Sequence, residues 1–120
     1  MTRVVMPSAV RAAYRDEIDS GRVAAHAGDV TAAWSHFERA HVLAQPFPVA
    51  HVGSHVAQLV LGWRTRDRTE IVGQVIRILV AGPASMVGRI PAGNDGRART
   101  PLRVTAPVPA DLAAVLEGAS

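Results

Sequence analysis

Cysteine is absent from the sequence, lysine is absent too, and aromatic residues make up only 4% of it. Without cysteine there is no disulfide framework, no thiol nucleophile and no metal site built on thiolate. The 13 basic residues are all arginine, which sets the pI near 11.0 although the net charge is only +3. Residues 1–60 are neutral, and the whole excess lies in residues 61–120. The scarcity of aromatics removes the stacking platforms on which single-stranded nucleic acid is held, which speaks against a nucleic-acid partner. Long hydrophobic runs are missing as well. The longest apolar stretch, Val56 to Trp63, is broken by Gln58 and falls far below the ~20 residues of a membrane span. The first residues carry one arginine and too short an apolar run for a signal peptide. No Gly-x-Ser-x-Gly elbow, phosphate-binding Walker loop or dinucleotide glycine motif is present. These absences point to a cytoplasmic protein with no membrane partner.

A chain of 120 residues, 48% apolar and 19% charged, is expected to form one globular domain over 1–120. Its signals are helical. Tyr14, Ile18, Gly21 and Ala25 recur at three- and four-residue steps and predict a helix from about Val10 to Ala27. Gly28-Asp29 stops it: glycine takes the left-handed cap and aspartate caps the next helix, Val30 to Ala44. Pro46-Phe47-Pro48 ends that one. A third helix runs from Val49 to Thr65 with Val52, Val56, Leu59, Val60 and Trp63 as its expected buried stripe. A fourth runs from Arg68 to Ala81 with Ile71, Val72, Val75, Ile76, Leu79 and Val80 as core positions and Gly82-Pro83 as its stop. Residues 83–109 are rich in Gly and Pro and read as a long irregular segment, with one helical turn near Ser85–Val87 and a tight turn at Gly93-Asn94-Asp95-Gly96. A short helix follows within 110–117. The expected fold is all-α, with helical hairpins over 10–82 closed by the irregular segment and the short terminal helix.

The hairpins look like tetratricopeptide units. Gly21, Ala24, Gly28-Asp29, Ala33, Phe37 and Ala40 place small residues where two helices approach closely. The second hairpin is a poorer copy: Asp67 stands for Asp29, Val75 for Phe37 and Pro83 for Pro46. A further pattern runs through Gly28-Asp29, Ala33-Trp34, the run from Phe37 to Gln45, His51 and His55, Gly73-Gln74, Gly88 to Asn94, and Gly96-Arg97. In these residues the chain resembles the DUF3703 family of small bacterial proteins of unknown function. The resemblance spans about Ala13 to Leu116 and implies a shared fold without bringing an activity.

All five histidines lie between residues 26 and 55. His51 and His55, four apart, share one face of the third helix. Glu38 and His41, three apart, give the second helix the Glu-x-x-His spacing that bundle metal sites use. The tight turn at Pro46 lies midway between His41 and His51 and nearly midway between Glu38 and His55. Residues equidistant from such a turn come level in an antiparallel hairpin. Glu38, His41, His51 and His55 are therefore the expected metal ligands, in a set suited to zinc, iron, copper or nickel. Asn94, Asp95 and Arg97 on the long segment are candidates to reach over such a site. Gln58 and Gln74, on otherwise apolar faces, need partners when buried and are candidates either to line a pocket or to tie that segment down.

The leading reading is a small metal-binding protein, with catalysis left open. A tetratricopeptide-like module for a partner protein or a homo-oligomer is the alternative from a different class, with Trp63 and the arginine-rich loop as contacts. A third reading is a small-molecule or anion binder that uses Arg89, Arg97 and Arg99 around the C-terminal loop. His26 and His36 are expected at the surface, and Trp34 and Trp63 in the core or lining a groove.

Overall fold

The computed structural model describes residues 5–86, 94–100 and 106–118, with the side chains of 81–86 left aside. Five helices follow in order: α1 Ser8–His26, α2 Val30–Ala44, α3 Pro48–Arg64, α4 Arg68–Met86 and α5 Ala110–Gly118. No strand occurs among the described residues. No helix among them is long and apolar enough to cross a membrane.

The helices pair as hairpins for local reasons. Gly28 takes φ +81°, which only glycine adopts at little cost. The Asp29 amide then donates back to the Ala24 carbonyl at 2.9 Å, and the Asp29 side chain accepts from the Ala32 amide at 3.1 Å. The turn between α3 and α4 repeats this design 38 residues on, consistent with the spacing of Asp29 and Asp67. There Arg66 takes φ +57°, Asp67 donates to Gly62 at 2.9 Å, and its side chain caps the Glu70 amide at 3.2 Å. Pro48 starts α3 at its first turn, where the missing amide hydrogen costs nothing.

Hairpins α1–α2 and α3–α4 pack on one another through α2 and α3, and α5 lies across α1 and α2. Two apolar clusters hold this arrangement. Met6, Val10, Val42, Leu43, Phe47 and Leu112 join α1, α2 and α5. Ile18, Ala33, Trp34, Phe37, Ala40 and Leu61 join α1, α2 and α3.

Two expectations fail. The first is the end of α4, which runs through Gly82-Pro83 to Met86. Proline denies the helix one hydrogen bond, to the carbonyl four residues back. That residue is Leu79, on the exposed side of the helix, where water can take the freed carbonyl. Ser85 and Met86 thus belong to α4, and Val87 lies outside the described residues.

The second failure is larger. The apolar stripes assigned to the core of α3 and α4 face outward: Val56, Val60, Trp63, Val72, Val75, Ile76, Leu79 and Val80 are all exposed, Trp63 at 71%. Apart from Leu61 and Gly62 near the end of α3, the buried positions described in this hairpin are polar: His51, Ser54, His55 and Gln58 on α3, and Glu70, Gln74 and Arg77 on α4. Each polar set recurs at helical spacing, so the periodicity is right and the face is reversed. The physical cause lies in what these groups meet, which is one another and the segment 94–100.

Candidate metal centre

His41, on the last turn of α2, and His51 and His55, on the first two turns of α3, are carried to one point by the short connection through Pro46. Their Nε2 atoms form a nearly equilateral triangle. His41 lies 3.1 Å from His51 and 3.2 Å from His55, and His51 lies 3.3 Å from His55. All three side chains are buried. They are the one group of three or more ligating side chains brought together in this way among the described residues.

The outer nitrogens decide the protonation of the inner ones. His41 Nδ1 lies 2.6 Å from the Asn94 carbonyl oxygen, which can only accept, so Nδ1 carries the hydrogen. His55 Nδ1 lies 2.6 Å from Gln74 Oε1. The Gln74 amide is oriented by its other end, where Nε2 donates to Glu70 Oε2 at 3.0 Å and to the Gly96 carbonyl at 2.8 Å. His55 Nδ1 is therefore a donor as well. In a neutral imidazole with its hydrogen on Nδ1, Nε2 presents a lone pair. Two lone pairs thus face each other at 3.2 Å with no proton between them, and His51 Nε2 completes the triangle. Protonating the rings does not relieve this. Burial, reinforced by the neighbouring His55 and His51, holds the His41 pKa well below the ordinary histidine value. Burial likewise brings His55 down to about 4 against the opposing hydrogen bond to Gln74.

The segment 94–100 closes over the triangle and is pinned from α3 and α4. Gln58, fully buried, donates from Nε2 to the Asp95 carbonyl at 2.9 Å. Its Oε1 is a buried side-chain atom without a hydrogen-bond partner, and it stands, like the His41 ring, close to Gly96. Arg77 donates to the carbonyls of Gly96 at 2.9 Å and Thr100 at 2.5 Å, and also to that of Arg97. Gly96, at φ +81°, fits only as glycine. A Cβ there would stand 2.6 Å from His41 Cδ2 and 2.9 Å from Gln58 Oε1.

Glu70 is the electrostatic anchor of the segment. Its carboxylate is fully buried and accepts from Arg97 Nε at 2.6 Å, the Ala98 amide at 3.1 Å and Gln74. Burial pushes its pKa up, but the bonds from Gln74, Arg97 and Ala98 outweigh burial and hold it below the usual carboxylate value. A carboxyl with a lowered folded pKa contributes stability above its unfolded pKa and loses it as pH falls through the folded one. Stability is therefore expected to hold from neutrality down to about pH 4.5 and to decline below it. Urea midpoints measured across that range should show a shallower acid decline in Glu70→Gln, which removes the fully buried carboxylate that anchors this segment. An equal decline in both proteins would remove Glu70 from this role.

The expected ligands divide. His41, His51 and His55 converge; Glu38 does not join them. Its carboxylate accepts from Arg97 Nη1 at 3.4 Å. Three residues turn a helix by 300°, so Glu38 points about 60° away from His41, toward the side where Arg97 lies. Asn94 meets His41 through its main-chain oxygen, while its side chain accepts from the Gly96 amide at 2.9 Å. Asp95 accepts from the Arg97 amide at 2.9 Å. The Arg97 guanidinium stacks 3.7 Å over Trp34, and Trp34 is itself in the core. The anion-binding reading loses its charge here. Arg97 is paired with Glu70 and Glu38, and Arg99 with Asp67 at 2.9 Å, while Arg89 lies outside the described residues. His26 is exposed, and His36 is partly exposed and bonds Glu17 at 2.8 Å. Sequence reasoning missed Glu70 and Arg77. Their signal was available: with Gln74 they are the polar residues of the otherwise apolar run from Glu70 to Val80, at positions i, i+4 and i+7.

Residues 8–116 match the model of a family described as "Protein of unknown function (DUF3703)". No curated protein and no solved structure matches the chain.

Proposed function

The chain belongs to the DUF3703 family, and from its own residues we propose that it is a metal-binding protein whose ion is held by His41, His51 and His55. The observation that carries this is the meeting of the His41 and His55 Nε2 lone pairs at 3.2 Å, with His51 Nε2 standing 3.1 and 3.3 Å from them. Such a meeting is repulsive by itself and becomes favourable around a cation.

The spacing favours one coordination geometry. Zinc–nitrogen bonds of about 2.0–2.1 Å in a tetrahedron put ligand nitrogens about 3.3 Å apart. A facial octahedral set brings them to about 3.0 Å, and a square-planar set would leave one pair about 4 Å apart. The near equality of the three separations speaks against the last, and their values lie closest to the tetrahedron. Zinc is the ion this set fits best. Three neutral imidazoles would leave a fourth position open for water or another ligand. The Asn94 carbonyl and Gln74 orient two of the ligands as outer partners do in metal sites generally. The ion would fasten the segment 94–97 to α2 and α3 through His41 and the groups around it, a staple suited to a small polar interior.

Elemental analysis of untagged protein tests this. About one metal ion per chain is expected, and it should be lost in the His51→Ala/His55→Ala double variant while helix content is kept. Metal-free protein that also takes up no added zinc, copper, nickel or ferrous iron would overturn the reading.

A further inference from the structure

Hairpin α3–α4 is inside out. From Ile71 to Val80 every polar side chain of α4 is buried, while Val72, Val75, Ile76 and Leu79 are exposed, Leu79 at 75% and Val72 at 61%. Those four recur at steps of three and four, the seam of a helix that packs on other helices. Val60 and Trp63 on α3 continue the same face, and a shallow groove between the helices separates Val60 and Trp63 from Val75. Exposed apolar residues scattered singly need no explanation, but a contiguous face of this kind does.

We infer that this face is the interface of a homodimer, in which the α3–α4 hairpins of two copies form a four-helix bundle. Area and charge favour a second copy over other occupants. Val60, Trp63, Val72, Val75, Ile76 and Leu79 are between 46% and 75% exposed and together present on the order of 700 Å², close to the contribution of each partner to a standard stable interface and above the largest patch on an ordinary monomer. The face itself carries no charge. A two-fold axis that sets the two hairpins antiparallel keeps the arginines of their α3–α4 turns apart, and there is nothing on the face itself to select a charged partner. Two apolar stripes meeting two identical stripes is the packing of a four-helix bundle. A membrane-lying face would be edged by basic residues along its length. Here the exposed arginines beside it, Arg64, Arg66 and Arg68, gather at the α3–α4 turn.

This inference does not depend on the metal reading, because the triad lies on the opposite side of the same helices. Sedimentation of the full chain, with and without chelator, tests it. The expected mass is twice the 12.7 kDa of the chain in both conditions. Leu79→Glu and Trp63→Glu, each at an exposed position, should weaken association at least about 100-fold with unchanged far-UV circular dichroism. A wild-type chain that sediments at 12.7 kDa up to high concentration overturns the proposal. So does a dimer that survives both substitutions, since another face would then hold it. A monomer that pellets with phosphatidylcholine–phosphatidylglycerol vesicles, and is released from them by Leu79→Glu, would make this a lipid-facing surface instead.

Discussion

Zinc added to the metal-free protein is expected to raise its thermal midpoint by more than about 10 °C, and His41→Ala is expected to abolish that rise. The size follows from linkage. An ion at a thousandfold excess over its dissociation constant stabilises the folded state by about 4 kcal/mol. For a domain of this size each kcal/mol moves the midpoint by several degrees. The native protein has a second reason to respond. Without a cation, the Nε2 atoms of His41 and His55 oppose lone pairs at 3.2 Å inside a buried site, so the ion relieves a repulsion as well as forming bonds. His41→Ala removes one ligand and the ring that donates to the Asn94 carbonyl at 2.6 Å. The variant should be less stable than the metal-free wild type and indifferent to zinc. His51→Ala gives the complementary measurement, since it removes a ligand and leaves the His41 contact to the segment in place. Calorimetric midpoints that rise equally in wild type and both variants would place the zinc effect elsewhere on the chain.

Gly96→Ala should destabilise the protein by about 2–4 kcal/mol, against about 1 kcal/mol for Gly28→Ala. The two glycines share φ +81°, so the cost of forcing an L-residue into the left-handed region is common to both. Their surroundings differ. A Cβ at Gly28 meets nothing within 4 Å, whereas one at Gly96 meets His41 Cδ2 at 2.6 Å, His41 Cγ at 2.7 Å and Gln58 Oε1 at 2.9 Å. The His41 ring cannot swing aside freely, because Nδ1 is bound to Asn94 and Nε2 belongs to the triangle. Either the segment lifts, losing the Gln74 and Arg77 bonds to the Gly96 carbonyl, or the ring turns out of the metal position. Urea midpoints at constant m-value give the stability difference. Zinc affinity should fall by about 10–100-fold in Gly96→Ala, as it does when an outer partner of a ligand is disturbed, and be unchanged in Gly28→Ala. Equal costs for the two substitutions would mean that the segment does not rest on the triad.

Much of this was legible in the sequence because it is local. Helix bounds follow from the 3.6-residue period and from caps such as Asp29, and α2 was placed to the residue. The closeness of His41, His51 and His55 needs only a four-residue spacing and a tight turn at Pro46. The exclusion of Glu38 depends on Arg97, 59 residues away, which no local pattern reports. The roles of Glu70 and Arg77 likewise depend on carbonyls and amides of residues 96–100. Without knowing where that segment lies, an acid and an arginine on an apolar helix look like its solvent face.

The sequence by itself therefore determined the helices apart from the end of α4, their turns, their pairing into hairpins and the meeting of His41, His51 and His55, though not the exclusion of Glu38, because each depends on residues within about one helical hairpin of one another. Only the tertiary structure decided which face of α3 and α4 is buried. Periodicity divides a helix into an apolar and a polar side, and burying the apolar side is the rule that transfer free energy supplies. In this hairpin the polar side could be buried because His51, His55, Gln58, Glu70, Gln74 and Arg77 find nearly all their partners in one another, in His41 and in the backbone of residues 94–100. A buried polar group costs little once it is hydrogen-bonded, and that condition is met by groups distant in the chain.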